Sequence, residues 1–396
     1  MKRFFFLSVS AAILSALLVI SCQKEPTAPL DTSGVSVSPP AAVIEGMKQS
    51  AAVTVFATGF NNPRGLKFGP DGYLYVAEGG LGGTNSTVGQ CDTVPDVGPY
   101  TGGMTGRISK VNHSGQRSTV AEDLPSSQTS PGSGSLVSGV ADVEFFGHSL
   151  YAILAGAGCS HGVPGIPNAV IRVKGGGNWS VVADLSQYQH THPVANPDLA
   201  DFEPDGTWYS MVRVEDDFFA VEPNHQEIDR ISPTSGKIRR LVDFSAYGGT
   251  TWIGPTAMVY RDGYFYVGNL APFPIVDGIS SVYRVSRNGQ IKVWATGFTT
   301  ILGLAFDRDG KLYVLENTTG NPFPTPGTGT IVRLNQGSKR DTIATGLFLP
   351  TAMTMGPDGD LYVSNKGFGP PIPGFGEILR INVGARRDYF VRRDDD

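Results

Sequence analysis

The chain has 396 residues, a formal net charge of −5, 51 glycines and 28 prolines, with charged residues at only 17%. The acidic balance and the lack of a Lys/Arg stripe exclude the electrostatic footprint of a nucleic-acid binder. Abundant Gly and Pro with few charges fit short strands joined by many turns.

The N-terminus reads as a processing signal. Lys2 and Arg3 precede an apolar run from Phe4 to Ile20, short and wrongly flanked for a membrane span. The run ends in Leu18-Val19-Ile20-Ser21-Cys22, which resembles a bacterial lipobox. Residues 1–21 are therefore expected to be a lipoprotein signal peptide, with Cys22 lipidated. An ordinary secretory signal is the other reading. Residues 22–50, rich in Pro, Ser, Thr and Ala, read as a flexible tether. The protein is expected at the bacterial cell envelope, periplasmic or surface-exposed, meeting the membrane only through its lipid. Cys91 and Cys159 then remain, a possible disulfide in an oxidising compartment or two free thiols. Composition does not change across 51–384, so one domain and a monomer are expected. The charged segment 385–396 reads as a tail.

From residue 53 the chain repeats itself. Pro63-Arg64-Gly65-Leu66-Lys67-Phe68-Gly69-Pro70-Asp71-Gly72-Tyr73-Leu74-Tyr75-Val76-Ala77-Glu78 returns at 302–316 and 350–365, and more loosely at 255–269. Each copy is an alternating strand, a Gly turn, a Leu/Phe-Tyr-Val strand and a terminal Glu or Asn. With the two strands that follow, each copy makes one four-stranded blade, A to D from the axis outward. A–B turns near 72, 147, 217, 263, 310 and 359 predict an all-β, six-bladed β-propeller, with seven blades as the alternative. Val53-Thr54-Val55-Phe56-Ala57-Thr58-Gly59-Phe60 matches the D-strand ends at 292–298 and 342–347. It is expected to close the ring as the missing D strand of blade 6, hiding the sheet edges.

The repeat resembles NHL-type repeats and the gluconolactonase-like and strictosidine-synthase-like propellers. A tighter resemblance lies in Gly158-Cys159-Ser160-His161-Gly162-Val163-Pro164-Gly165-Ile166-Pro167-Asn168, with Asn196-Pro197-Asp198 and Val221-Glu222-Pro223-Asn224-His225. These are similar to the ScyD/ScyE family of exported propellers, over residues 52–384. That resemblance implies the fold and export and transfers no catalytic residue.

In a propeller the D–A and B–C loops share one face, and here nearly all long loops fall there, so a site is expected on that face. Three constellations map to it. Glu78, Glu222, Asn224, Asn269, Glu316 and Asn365 end the B strands; converging on the axis, their oxygens would suit Ca²⁺. The resemblance to gluconolactonase-like propellers implies that such a metal would polarise a lactone carbonyl. His161, His190, His192 and His225 fall in one sector and form an alternative metal set. Phe273, Phe323, Phe368 and Phe375 sit in Pro- and Gly-flanked loops of blades 4–6, with Trp252 beside them. They read as a rim for a small apolar molecule or a protein partner. No Gly-x-Ser-x-Gly, Walker, Rossmann or His-Glu-x-x-His motif is present. Binding is therefore the preferred reading, metal-dependent lactone or ester hydrolysis the alternative, and a structural or adhesive module a third.

Overall fold

The Gly turns set the repeat in space. Gly72, Gly310 and Gly359 take φ of +78°, +81° and +82°, where a side chain would be strained, and each lets strand A fold straight back as strand B. The computed structural model describes residues 52–384 except 96, 198–202, 250 and 336–338. The signal peptide, Cys22, the tether and the tail lie outside the described residues.

Six antiparallel blades form the ring. Blade 1 is β2 (Pro63–Phe68), β3 (Leu74–Glu78), β4 (Thr101–Val111) and β5 (Arg117–Gln128), with the short β6 (Val137–Ser138) added at its edge. Blade 2 is β7 (Val140–Phe146), β8 (Ser149–Leu154), β9 (Ala169–Val173) and β10 (Trp179–Asp184). Blade 3 is β11 (Ser210–Val214), β12 (Asp217–Glu222), β13 (Glu227–Ile231) and β14 (Ile238–Asp243). Blade 4 runs β15 (Pro255–Arg261), β16 (Tyr264–Asn269), β17 (Ser280–Ser286) and β18 (Ile291–Phe298). Blade 5 runs β19 (Ile301–Phe306), β20 (Leu312–Glu316), β21 (Gly329–Leu334) and β22 (Arg340–Leu347). Blade 6 is β23 (Ala352–Met355), β24 (Leu361–Asn365) and β25 (Gly376–Ile381), completed by β1 (Val53–Phe60) pairing antiparallel with β25. The ring is thus closed by the first strand, as its likeness to the D strands implied.

Packing explains the Leu-Tyr-Val signature. A B strand lies between two neighbouring blades, so both of its faces are covered; β20 and β24 are buried at every residue. Such strands read as continuous apolar runs rather than alternating ones. The outer strands are largely open to solvent: β18 exposes Val293 and Trp294 and buries Phe298. Hydroxyls stitch adjacent inner strands. Ser210 Oγ donates to the Thr256 carbonyl at 2.8 Å, Thr256 Oγ1 to Ile301 at 2.5 Å, and Thr351 Oγ1 to Pro63 at 2.6 Å.

Three segments depart from the bare four-stranded repeat. The C–D hairpin of blade 1 is unusually long, because β4 and β5 stay paired out to Thr101 and Gln128. The D–A connections on either side of blade 3 carry short helices, α1 (Leu185–Thr191) and α2 (Phe244–Gly248). Asp184 and Asp243 cap them, accepting the backbone N–H groups of Gln187 and Ala246.

Candidate functional site

The polar residues ending the B strands turn into their own blades. Glu78 accepts the Asn61 N–H at 2.6 Å and Arg107 Nε at 2.7 Å, as well as the Ser109 hydroxyl. Glu222 accepts the Thr207 N–H at 2.8 Å and the N–H of His225. Asn269 donates to Ile253 O at 2.7 Å and accepts the Ser281 N–H at 2.6 Å. Glu316 accepts Thr299 N–H at 2.6 Å and Thr330 Oγ1 at 2.7 Å. Asn365 accepts Phe348 N–H at 2.9 Å and donates to Glu377 at 2.8 Å. Glu78, Asn269, Glu316 and Asn365 therefore clasp the preceding D–A corner to their own strand C, and Glu222 clasps it to the B–C turn. This corrects the expectation of convergence on the axis: the backbone donors of each corner would go unmet in the buried interior, and these oxygens meet them. Half-buried Asn224 stands just beyond the end of strand B of blade 3. Burial raises the Glu316 carboxyl, against those two hydrogen bonds.

The histidines separate into two kinds. His161 is fully buried, its Nε2 3.0 Å from Glu203 Oε2 and its Nδ1 2.8 Å from Ser127 Oγ. Burial works to raise the Glu203 carboxyl, but His161, Thr207 and Tyr100 hold it below its ordinary value. His225 Nδ1 lies 3.3 Å from Glu222 Oε2. Burial opposes its protonation, and Glu222, helped by Glu227 and Glu203, outweighs it, so the imidazole is pushed up. His190 and His192 face outward, because α1 buries Leu185, Ser186 and Gln189. The His190 side chain is 52% exposed, and His192 stacks on Tyr188 at 4.2 Å. Among the described residues no three His, Cys, Asp or Glu side chains are grouped so as to hold a metal ion, so these four do not form one site. Asp198 and Asp201, their neighbours in sequence, lie outside the described residues.

A buried acid pair beside this sector went unread in the sequence. Glu227 and Asp229 sit two apart on β13 and so share a face. Arg240 Nε donates to Glu227. Burial drives Glu227 up to about 7, and burial followed by the Glu227 charge drives Asp229 well above the carboxylate range.

Cys91 and Cys159 form a disulfide between the B–C loops of blades 1 and 2. On blades 4 and 5 the corresponding loops are tied to each other: the Ile275 N–H donates to Pro322 O at 2.8 Å, and Asn321 Nδ2 to Asp277 Oδ1 at 3.1 Å. From these loops Phe273 and Phe323 project, 45% and 65% exposed, with Val276 and Ile279 also exposed. In blade 6 Phe375 is 38% exposed and stacks edge-on against Phe348 at 5.5 Å. Phe368 is half-buried. Trp252 is also half-buried and lies so close to Gly254 that a Cβ there would meet its ring at 2.2 Å.

The axis itself holds a cavity of about 420 Å³, walled by all six inner strands. At the long-loop end Tyr209 of blade 3 crosses it and donates to the Thr351 carbonyl of blade 6, opposite, at 2.6 Å. Arg64 packs against Tyr209 and donates to Val137 O. Register places Leu66, Val143, Met211, Met258, Leu304 and Met353 at one level of the ring. The residues just before them are Gly65, Asp142, Ser210, Ala257, Gly303 and Ala352, small in every blade but the second. Asp142 Oδ2 accepts the Met211 N–H at 2.9 Å and Oδ1 the Val143 N–H at 2.8 Å. A Cβ on Gly65 would fall 1.9 Å from Asp142 Oδ1, so this carboxyl occupies the room the glycine leaves. Burial raises Asp142 to about 7, against both N–H bonds. Toward the tight-turn end Glu144 pairs with Lys67 at 2.6 Å, and Arg213 is exposed.

No family model and no curated protein matches the chain. Solved structures do. A putative oxidoreductase (glucose dehydrogenase) from Thermus thermophilus superposes with a TM-score of 0.50 at 19% identity, covering 84% of this chain and 99% of that one. Regucalcin from Agrobacterium tumefaciens, described as a calcium-binding protein, gives 0.49 at 13% identity, over 84% and 95%. A putative gluconolactonase gives 0.48 at 12%, over 84% and 92%. At such identities the likeness is one of fold, the six-bladed propeller.

Proposed function

We propose that this protein is an exported, lipid-anchored propeller that binds a protein partner through the aromatic loops of blades 4 to 6. The observation that carries the reading is the pair of exposed rings, Phe273 and Phe323, on two loops tied by the Ile275–Pro322 hydrogen bond. A ring held out on a fixed loop loses little conformational freedom on binding. The rings project outward, which suits a concave or flat partner surface rather than an enclosed small molecule. A protein at the end of a lipidated tether, running from Cys22 to about residue 50, could reach partners along the envelope.

A photo-cross-linking amino acid at position 323, in intact cells, tests the site. A discrete adduct, lost when Phe273→Ser is added, is expected. No adduct, or one indifferent to Phe273→Ser, refutes it. Anchorage is tested separately by incorporation of labelled fatty acid, which Cys22→Ala should abolish.

A further inference from the structure

We infer that the axial cavity is a second binding site, for an amphipathic organic anion whose apolar body lies between the inner strands and whose acidic head sits at Lys67 and Arg213. The site is distinct from the aromatic loops and does not depend on them.

Three observations carry this. First, the cavity is of ligand size: about 420 Å³, where small-molecule sites span roughly 300–1,000 Å³. Second, the wall is mixed polar and apolar, and its apolar part is adaptable. Met211, Met258, Met353 and Met355 all line it, four of the chain's seven methionines. Unbranched thioethers reshape around a guest more readily than Leu or Val would. Third, the two ends differ. The long-loop end is crossed by Tyr209 and Arg64. The tight-turn end carries Lys67, 42% exposed, and exposed Arg213.

Charge then sets the orientation. Glu144 neutralises Lys67 at 2.6 Å, leaving the Arg213 charge in excess. The Arg213 Nε donates to the Glu215 carbonyl and its guanidinium lies 4.8 Å from the Phe146 ring centre, which fixes the group. On β7 Asp142 lies nearer the closed end than Glu144. The cations that line the cavity, Lys67 and Arg213, both lie at the mouth, so the head stays there and the chain points inward. The ligand class is an acid with a single acidic head and an apolar tail, such as a medium-chain carboxylate.

The test uses the full chain with methyl-labelled methionine and dodecanoate as the probe, below its micelle concentration. The methyl signals of Met211, Met258, Met353 and Met355 should shift together and saturate, while that of Met104, exposed on β4, should stay in place. Arg213→Glu should weaken binding at least tenfold, and dodecanol should bind at least tenfold more weakly than dodecanoate. Lack of a saturable shift in the four methyls overturns the site. Shifts that survive Arg213→Glu and do not distinguish acid from alcohol overturn the orientation and the ligand class. Should Arg213→Glu fail to fold, Arg213→Gln gives the same comparison with a smaller expected loss.

Discussion

Replacing Asp142 by Asn isolates the one acid set into an otherwise small-residue level of the inner ring. Burial raises this carboxyl from its ordinary 3.8 to about 7. Between those values the unfolded chain has lost the proton and the native protein has kept it. Native stability therefore falls as pH rises, by about 1.4 kcal/mol per unit. Over the window from 3.8 to about 7 the loss amounts to about 4 kcal/mol, complete above pH 7 and absent below 3.8. Asparagine carries no such penalty. Its carbonyl keeps the Met211 N–H, but its amide group faces the Val143 N–H and forfeits that bond, at about 1 kcal/mol. The variant should thus be less stable than the parent by about 1 kcal/mol near pH 4 and more stable by about 3 kcal/mol near pH 8. Urea unfolding of both proteins from pH 4 to 8, compared as differences in midpoint at a common slope, reads this directly. The Glu227 and Asp229 penalties run in the same direction and cancel in the comparison. A stability difference that does not vary with pH would falsify the reasoning. It would mean that Asp142 is ionised in the native ring and held by Arg64 or Lys67.

Two further perturbations probe the frame around the sites. Asp229→Asn should stabilise the protein at pH 8 relative to pH 4, since burial and Glu227 hold the native acid well above its ordinary value. Equal effects at both pH values, in the same urea assay, would place a counter-charge on it. The Cys91–Cys159 bond closes a loop with a sequence separation of 68, so Cys159→Ala should cost about 4 kcal/mol through the freedom returned to the unfolded chain. Reductant should bring the parent down to the variant and leave the variant unmoved; a parent indifferent to reductant sinks the idea.

The blades were legible because each repeats a packing requirement. The Gly turn, the doubly covered Leu-Tyr-Val strand and the polar terminal residue recur wherever the same surroundings recur, and the first strand betrays its place by matching the D strands. The same repetition misled the reading of the site. Glu78, Glu222, Glu316 and Asn365 looked like a ligand ring because they occupy one position, but that position is defined by a local duty. Each takes an N–H from the corner 15 to 17 residues earlier, as the separations 78–61, 222–207, 316–299 and 365–348 show. Nor could the histidine sector be resolved from spacing, since the capped turn of α1 decides which side chains face out. Asp229 was hidden for a related reason. An acid at every second position of Glu227-Ile228-Asp229-Arg230-Ile231 gives no sign of burial, yet Glu227 and Asp229 are both buried, with Tyr188 of α1 and Trp208 of the preceding corner near Asp229.

A repeat protein therefore advertises its scaffold by what recurs and its individuality by what departs. At the inner-ring level, Gly65, Ser210, Ala257, Gly303 and Ala352 keep the axis open, and only blade 2 places a carboxyl there. Likewise blade 2 ends its B strand in Leu154 instead of Glu or Asn, and Asn168 makes a different tie, from its own B–C loop to the following D–A corner. It accepts the Ala157 N–H at 2.8 Å and donates to Gly206 O at 2.6 Å. Both departures fall in the blade whose B–C loop is bound by the disulfide and whose His161 is buried against Glu203. Blade 2 is thus where the chain gave up repeat packing most freely. Of the polar groups so introduced, Asp142 lines the axial cavity. That asymmetry separates the two binding surfaces: a partner at blades 4 to 6 and an acid on the axis answer to different residues, so substitutions at Phe323 and at Arg213 should leave each other's ligand untouched.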